Sequence, residues 1–281
     1  RLMSKKSDRK NNNKPAKVTM ADKADRHELY EESVQCVEAE IDFVDSTFKK
    51  LRGRTAYKLR EDFCGTANTS CEWIRRRAKN TAVGVDLDGE VLDWGRKHKI
   101  GALKPSQAKR IELLQQDVMQ VKTEPMDMIL AMNFSYWIFE QRPLLRDYFK
   151  RVRDCLTDDG IMFLDAFGGY EAYRELKERT KYKKHTYIWD QAHYNPITGH
   201  MRCNIHFKLK DGSKMQNAFS YEWRLWTLPE LRELLEEAGY RKVTVYWQGT
   251  DEETGDGDGE FYPTEDGEAD AGWIAYIVAE K

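Results

Sequence analysis

Between Tyr57 and Ala166 the chain alternates short apolar runs with longer stretches of helical period, and this alternation leaves few folds open. The runs are Tyr57–Phe63, Ala82–Asp86, Ile111–Gln115, Met126–Asn133 and Ile161–Ala166. Several are apolar throughout instead of every second residue, as expected of strands covered on both faces. Helices are predicted between them, over about Thr69–Arg77, up to about Lys99, and over Leu144–Cys155. Strand–helix repetition of this kind builds a parallel sheet wound by crossover helices. The expected fold class is therefore α/β, with a doubly wound, mostly parallel sheet.

The flanking segments read differently. Residues 1–25 are polar and basic and are expected to be disordered. A helix is predicted from about Arg26 to Lys50, on the apolar stripe Leu29, Val34, Val37, Ile41, Val44 and Phe48. After Phe167 the pattern changes to a helix at about Tyr170–Lys181 and three strands, Thr186–Ala192, Met201–Leu209 and Met215–Trp223. Asn195-Pro196 with Gly199, then Asp211-Gly212, mark the turns. Thr227 and Glu230 form a capping box for a helix that Gly239 ends, and Lys242–Trp247 and Trp273–Ala279 close the chain as strands. Four parts follow: a disordered segment 1–25, an α/β core 26–169, an antiparallel β lid insert 170–224, and a C-terminal helix and strands 225–281 that complete the core sheet.

Charge and cysteine usage exclude several classes. The 46 basic residues nearly balance 48 acidic ones, and no basic stripe falls on a predicted folded element, so a nucleic-acid partner is not expected. Asp251–Asp270 carries many acids and no Lys or Arg, and reads as a solvated loop. No apolar run approaches the roughly 18 residues of a membrane span. The basic start has no apolar core of a signal peptide, so the expected location is the cytoplasm. None of the five cysteines forms a C-x-x-C pair. The histidines match no metal-ligand spacing, so no metal is expected and His185, His193, His200 and His206 are read as surface residues.

The stretch Leu59-Arg60-Glu61-Asp62-Phe63-Cys64-Gly65-Thr66-Ala67 joins the first predicted strand to its helix. Open α/β sheets bind ligands beyond the carboxyl ends of strands, where strand order reverses. Small residues in such a turn let backbone amides approach a ligand. Asp86 ends the second strand, where a carboxylate can accept both ribose hydroxyls. Asp117 follows the third strand, where an exocyclic adenine amine needs an acceptor, and the fourth ends at Asn133-Phe134-Ser135. A dinucleotide enzyme would carry G-x-G-x-x-G here to cradle a pyrophosphate. Gly65 is the only glycine between Phe63 and Arg77.

On these residues the chain resembles the class I S-adenosylmethionine-dependent methyltransferases of small-molecule type, over about Tyr57–Ala166 and more loosely through Trp226–Trp247. Their first motif runs from an acid to G-C-G-x-G. Glu61 matches the acid, Cys64-Gly65 the central pair and Thr66 the variable position, while Phe63 and Ala67 replace the first and third glycines. The resemblance implies a Rossmann-like fold and S-adenosylmethionine as cofactor. It implies that Glu61, Cys64, Gly65 and Thr66 form the loop meeting the methionine part. Asp86 with Leu87 would hold the ribose and Asp117 with Val118 the adenine, and Asn133 would lie near the sulfonium.

Methyl transfer from an activated sulfonium asks the protein mainly to position reactants, with a base only where the acceptor must lose a proton. Tyr136 and Asp165, beside strand ends, are the predicted catalytic groups. Tyr30, Trp137, Trp189, Tyr194 and Arg224 are predicted to contact the acceptor, since aromatic faces attract a sulfonium or methylated ammonium. A lid closing a compact pocket favours a small-molecule acceptor. An RNA or protein acceptor has only the basic N-terminal segment in its favour. A non-enzymatic S-adenosylmethionine-binding protein is a third reading, separable by a turnover assay. An exposed sheet edge in the insert would also suit a homodimer.

Overall fold

The computed structural model describes residues 17–281, so the disorder expected of residues 1–16 falls outside the described residues. Five parallel strands form the centre: β1 (Lys58–Asp62), β2 (Thr81–Asp86), β3 (Ile111–Gln115), β4 (Met126–Ala131) and β5 (Leu156–Gly168). They lie in the order β3-β2-β1-β4-β5, so the winding reverses between β1 and β4. Antiparallel β12 (Trp273–Glu280), β10 (Lys242–Thr250) and β11 (Gly257–Pro263) extend the sheet beyond β5.

Both faces of this sheet are buried, which is why its strands read as continuous apolar runs. On β4, Ile129 and Ala131 face one core and Met128 and Leu130 the other. Helices α7 (Arg142–Asp154) and α8 (Leu228–Glu237) cover the first face through Leu145, Phe149, Leu231 and Leu234. Helices α3 (Val37–Arg52) and α4 (Asn68–Arg76) cover the second through Ile41, Val44, Phe48 and Trp73. Each such side chain contributes roughly 1.5–3 kcal/mol on burial. Helices α5 (Gly89–His98) and α6 (Pro105–Ala108) lie between β2 and β3 in the chain.

A separate four-stranded antiparallel sheet runs β6 (Leu176–Lys181), β7 (His185–Tyr194), β8 (His200–Leu209) and β9 (Lys214–Arg224). Its Met201, Cys203 and Trp223 join the first core, and Ile205 and Phe207 pack on Leu29.

Five expectations need correction. Residues 17–25 are not featureless: Met20–Lys23 form helix α1, closed by a Thr19–Asp22 capping box. The Met20 amide donates to Asp211 and the Ala21 amide to Ser213, so caps and hydrogen bonds fix a segment that has no apolar period. The single helix expected over Arg26–Lys50 is two, α2 (Arg26–Val34) and α3, with extended backbone at Gln35. Its apolar stripe serves two cores: Leu29 packs on the antiparallel sheet, and Ile41, Val44 and Phe48 on the parallel one. The helix expected over Tyr170–Lys181 is a 3-10 turn, Tyr170–Tyr173, followed by edge strand β6. A solvated charged run suits either state, and pairing with β7 decides it.

The acidic segment holds β11, whose Phe261 packs at a tilt against Tyr276 while Asp258 and Glu260 are exposed to solvent, a charged edge that resists further pairing. Finally, His185 and His206 are buried. His206 sits between Asp190 (2.8 Å) and the Asn217 amide (2.8 Å), so its polar atoms are satisfied inside the sheet.

Candidate active site

The β1–α4 turn keeps the backbone path of a glycine-rich loop without its glycines. Phe63, Gly65 and Ala67 all have positive φ, at 54°, 53° and 59°. A left-handed non-glycine residue costs roughly 1–2 kcal/mol. Packing offsets this, since Phe63 lies on Phe139 and Tyr148 and Ala67 is wholly buried. Gly84 is required for another reason: a Cβ there would lie 2.8 Å from Leu113 and 2.9 Å from the Cys64 sulfur. This close approach seats the turn against β2.

Below the turn, Glu61 is buried and accepts the Ser70 amide (3.0 Å) and hydroxyl, which anchors the start of α4. Burial pushes its carboxyl up to about 7, against the Ser70 hydrogen bonds. Cys64 is also buried, and burial raises its thiol well above the usual range, so it is a packing residue and not a nucleophile. At the end of β2, Asp86 accepts the Gly65 amide (2.8 Å) through one oxygen and the Asp88 amide (2.9 Å) through the other. Leu87 beside it is 64% exposed. Asp117 accepts the Met119 amide (2.8 Å), next to buried Val118. Helix α2 reaches over the turn: Thr66 donates to Glu31 (2.8 Å), which also pairs with Lys99.

Past the ends of β4 and β5 opens a cavity of about 770 Å³. Its floor holds Asn133, Phe134 and Asp165. Asn133 and Phe134 also have positive φ, and their amides donate to the two oxygens of Asp165 at 2.8 and 2.9 Å. Burial raises the Asp165 carboxyl to about 7 even against these amides. Tyr30 of α2 and Glu40 of α3 form one wall. Glu40 is pushed up to about 8, first by burial and then by the charges of Glu61 and Asp165. The antiparallel sheet forms the opposite wall through Tyr187, Trp189 and Gln191 on β7 and Tyr221 and Trp223 on β9. No Lys, Arg or His lines the cavity among the described residues.

The predicted acceptor residues divide. Tyr30, Trp189 and Asp165 line this cavity. Tyr136 and Trp137 do not: both are fully buried, and the Tyr136 hydroxyl donates to the Asp165 carbonyl (2.7 Å). Tyr136 braces the strand end and is not placed to touch an acceptor. Arg224 follows Trp223 by one residue and so points to the opposite face of β9, where it lies over Trp226 and pairs with Glu230. Tyr194 packs edge-on against Tyr173, outside the cavity. Sequence reasoning missed Glu40, Tyr187, Gln191 and Tyr221. The Tyr221-x-Trp223 alternation on one strand was the available signal for Tyr221.

No family model and no curated protein sequence matches the chain. The fold has parallels among solved structures. An S-adenosylmethionine-dependent methyltransferase from Clostridium acetobutylicum aligns with a TM-score of 0.64 at 16% identity, over 90% of this chain and 96% of the other. DesVI from Streptomyces venezuelae gives 0.65 at 14% identity, over 91% and 98%. CalS10, an amino pentose methyltransferase from Micromonospora echinaspora solved with S-adenosylmethionine bound, gives 0.63 at 14%, over 90% and 95%. The chain therefore has the Rossmann-like α/β fold of these structures, with a separate antiparallel sheet. Among the described residues no helix is long and apolar enough to cross a membrane.

Proposed function

We propose that this protein is an S-adenosylmethionine-dependent methyltransferase that methylates a small molecule held in the 770 Å³ cavity. The observation that carries the reading is the junction of three features at the switch point. These are the left-handed β1–α4 turn, Asp86 at the end of β2, and an acidic, aromatic cavity directly beyond β4 and β5.

The residues suit the cofactor's chemistry. Glu40 and Asp165 line the cavity with no Lys, Arg or His beside them among the described residues, Glu40 also feels the charge of Glu61 below the turn, and burial raises all three. Buried carboxylates in that state gain from a positive ligand. In this reading Asp86 accepts the ribose hydroxyls with lone pairs left free by the two amides, and exposed Leu87 lies on the adenine with Asp117 and Val118. The turn at Cys64, Gly65 and Thr66 meets the methionine part. S-adenosylmethionine, when bound, supplies the methyl group as a sulfonium.

The protein's own part is to orient the acceptor and take its proton. The aromatic walls exclude water and attract a cation. In this reading Asp165, fixed by two amides, receives the proton as the acceptor forms its new bond. Carboxylates and aromatic faces without a basic residue favour an amine over a phosphate-bearing acceptor. Two structural neighbours, an amino pentose methyltransferase and a sugar N-methyltransferase, agree with an amine.

Calorimetry with S-adenosylhomocysteine and NAD tests the reading. S-adenosylhomocysteine is expected to bind and raise the melting temperature by mass action, and NAD to do neither. Binding of NAD without S-adenosylhomocysteine would overturn it.

A further inference from the structure

A second cavity of about 550 Å³ lies beside the first, bounded by α8, β10 and the segment after β11. Gly168, Ala172 and Trp273 line both, so the two cavities meet along a shared edge. Gly168 has no room for a side chain there, since a Cβ would fall 2.2 Å from the Trp273 ring. Trp247 and Trp273 line the second cavity with ring centres 5.2 Å apart, and Trp226 adds a third indole. Trp226 is only 1% exposed, and its indole N–H has no acceptor among the described residues. The charged residues of the lining are mostly acidic: Glu233, Glu236, Glu265, Asp266 and Glu268, against one base, Arg232, which Glu265 already neutralises at 2.9 Å.

Flat indoles pack on the C–H face of a saturated ring, carboxylates accept from hydroxyls, and a buried N–H asks for an oxygen. The same acids repel phosphate. On the methyltransferase reading, we infer that the second cavity holds the far ring of the acceptor. That ring is hydroxylated and sugar-like, carries no phosphate, and is joined past the shared edge at Gly168, Ala172 and Trp273 to the part methylated in the first cavity. The acceptor is then a two-ring amino sugar or glycoside, and not a sugar still carrying a nucleotide diphosphate.

The test is calorimetry on protein loaded with S-adenosylhomocysteine, titrated with glucosamine, a glucosamine disaccharide and glucosamine 6-phosphate. The disaccharide is expected to bind at least about tenfold tighter than glucosamine, and the phosphate ester more weakly than either. Trp247→Leu, and separately the surface pair Glu233→Gln with Glu236→Gln, should abolish the disaccharide's advantage. Both should leave glucosamine and S-adenosylhomocysteine affinities unchanged. The acidic pair guards against Trp247→Leu failing to fold. Equal affinity for the two sugars, no sugar binding, tighter binding of the phosphate ester, or variants that weaken both sugars alike would overturn the second site while leaving the cofactor reading standing. Failure of S-adenosylhomocysteine to bind the unmodified protein would overturn both.

Discussion

The strand ends of the parallel sheet and the inner face of the antiparallel sheet both border the same cavity, yet they are built on different logic. At the strand ends, chain topology places the residues: Asp86 ends β2, Asp117 and Asn133 follow β3 and β4, Glu61 and Asp165 lie near the ends of β1 and β5, and backbone amides hold most of them. On the antiparallel sheet, register places them. Trp189, Gln191, Tyr221 and Trp223 share the cavity face, and the neighbour Arg224 is turned away. The first region is suited to a fixed ligand such as a cofactor, and the second to one that differs between enzymes of one fold.

The sharpest way to break this contrast is to ask whether the strand ends are as rigid as their bonding implies. Arg60 and Asp62 form a fully buried bidentate pair at 2.8 and 3.0 Å, and Tyr148 donates to the same carboxylate at 2.7 Å. Asp62→Ala leaves the guanidinium buried without a partner and should cost about 3–5 kcal/mol in urea denaturation. A cost under about 1 kcal/mol would mean that the strand ends relax easily and that the contrast is false.

Asp165 tests where chemistry sits. Asp165→Asn should lower turnover by at least about a hundredfold, with S-adenosylhomocysteine affinity within a few fold. In the unmodified protein, turnover should rise with pH through about 7 as this carboxyl ionises. Stability should move the other way. A carboxyl raised in the folded state stabilises below its unfolded value near 4, and that contribution is lost as pH rises through about 7. A flat turnover profile between pH 6 and 8 would remove Asp165 from the proton path.

A reciprocal pair sharpens the division of labour. Asp86→Ala should weaken S-adenosylhomocysteine by roughly 1–3 kcal/mol, the scale of lost hydrogen bonds to a charged group. Trp189→Ala should raise the acceptor KM and leave cofactor affinity within a few fold. If both substitutions change cofactor and acceptor alike, the two regions form one site.

The same contrast explains what was legible in the residues alone. The α/β order, the turn between Glu61 and Ala67 and the acids after β2 and β3 could be read because a parallel strand reports its own ends. Tyr194 and Arg224 could not be sorted from Trp189 without knowing which edge pairs with which, because one step along a strand reverses the face. The split of the N-terminal helix was hidden for a related reason, since a stripe shared by two cores has the same period as a stripe facing one.

The smallest expected effect concerns Ala67, where the sequence departs from the glycine pattern but the backbone does not. Its φ of 59° is a conformation that glycine adopts freely. Ala67→Gly removes about 1–2 kcal/mol of left-handed strain. It also frees the unfolded chain, which costs about 0.4–1 kcal/mol, and it deletes a methyl group that is fully buried against Leu92 and Cys64. That methyl contributes about 0.8 kcal/mol. These terms nearly cancel, so stability should shift by less than about 1 kcal/mol while S-adenosylhomocysteine affinity stays the same or improves. A loss above about 2 kcal/mol would show that packing, and not backbone freedom, now holds the turn in its path. The alanine would then be part of what distinguishes this loop from a glycine-rich one.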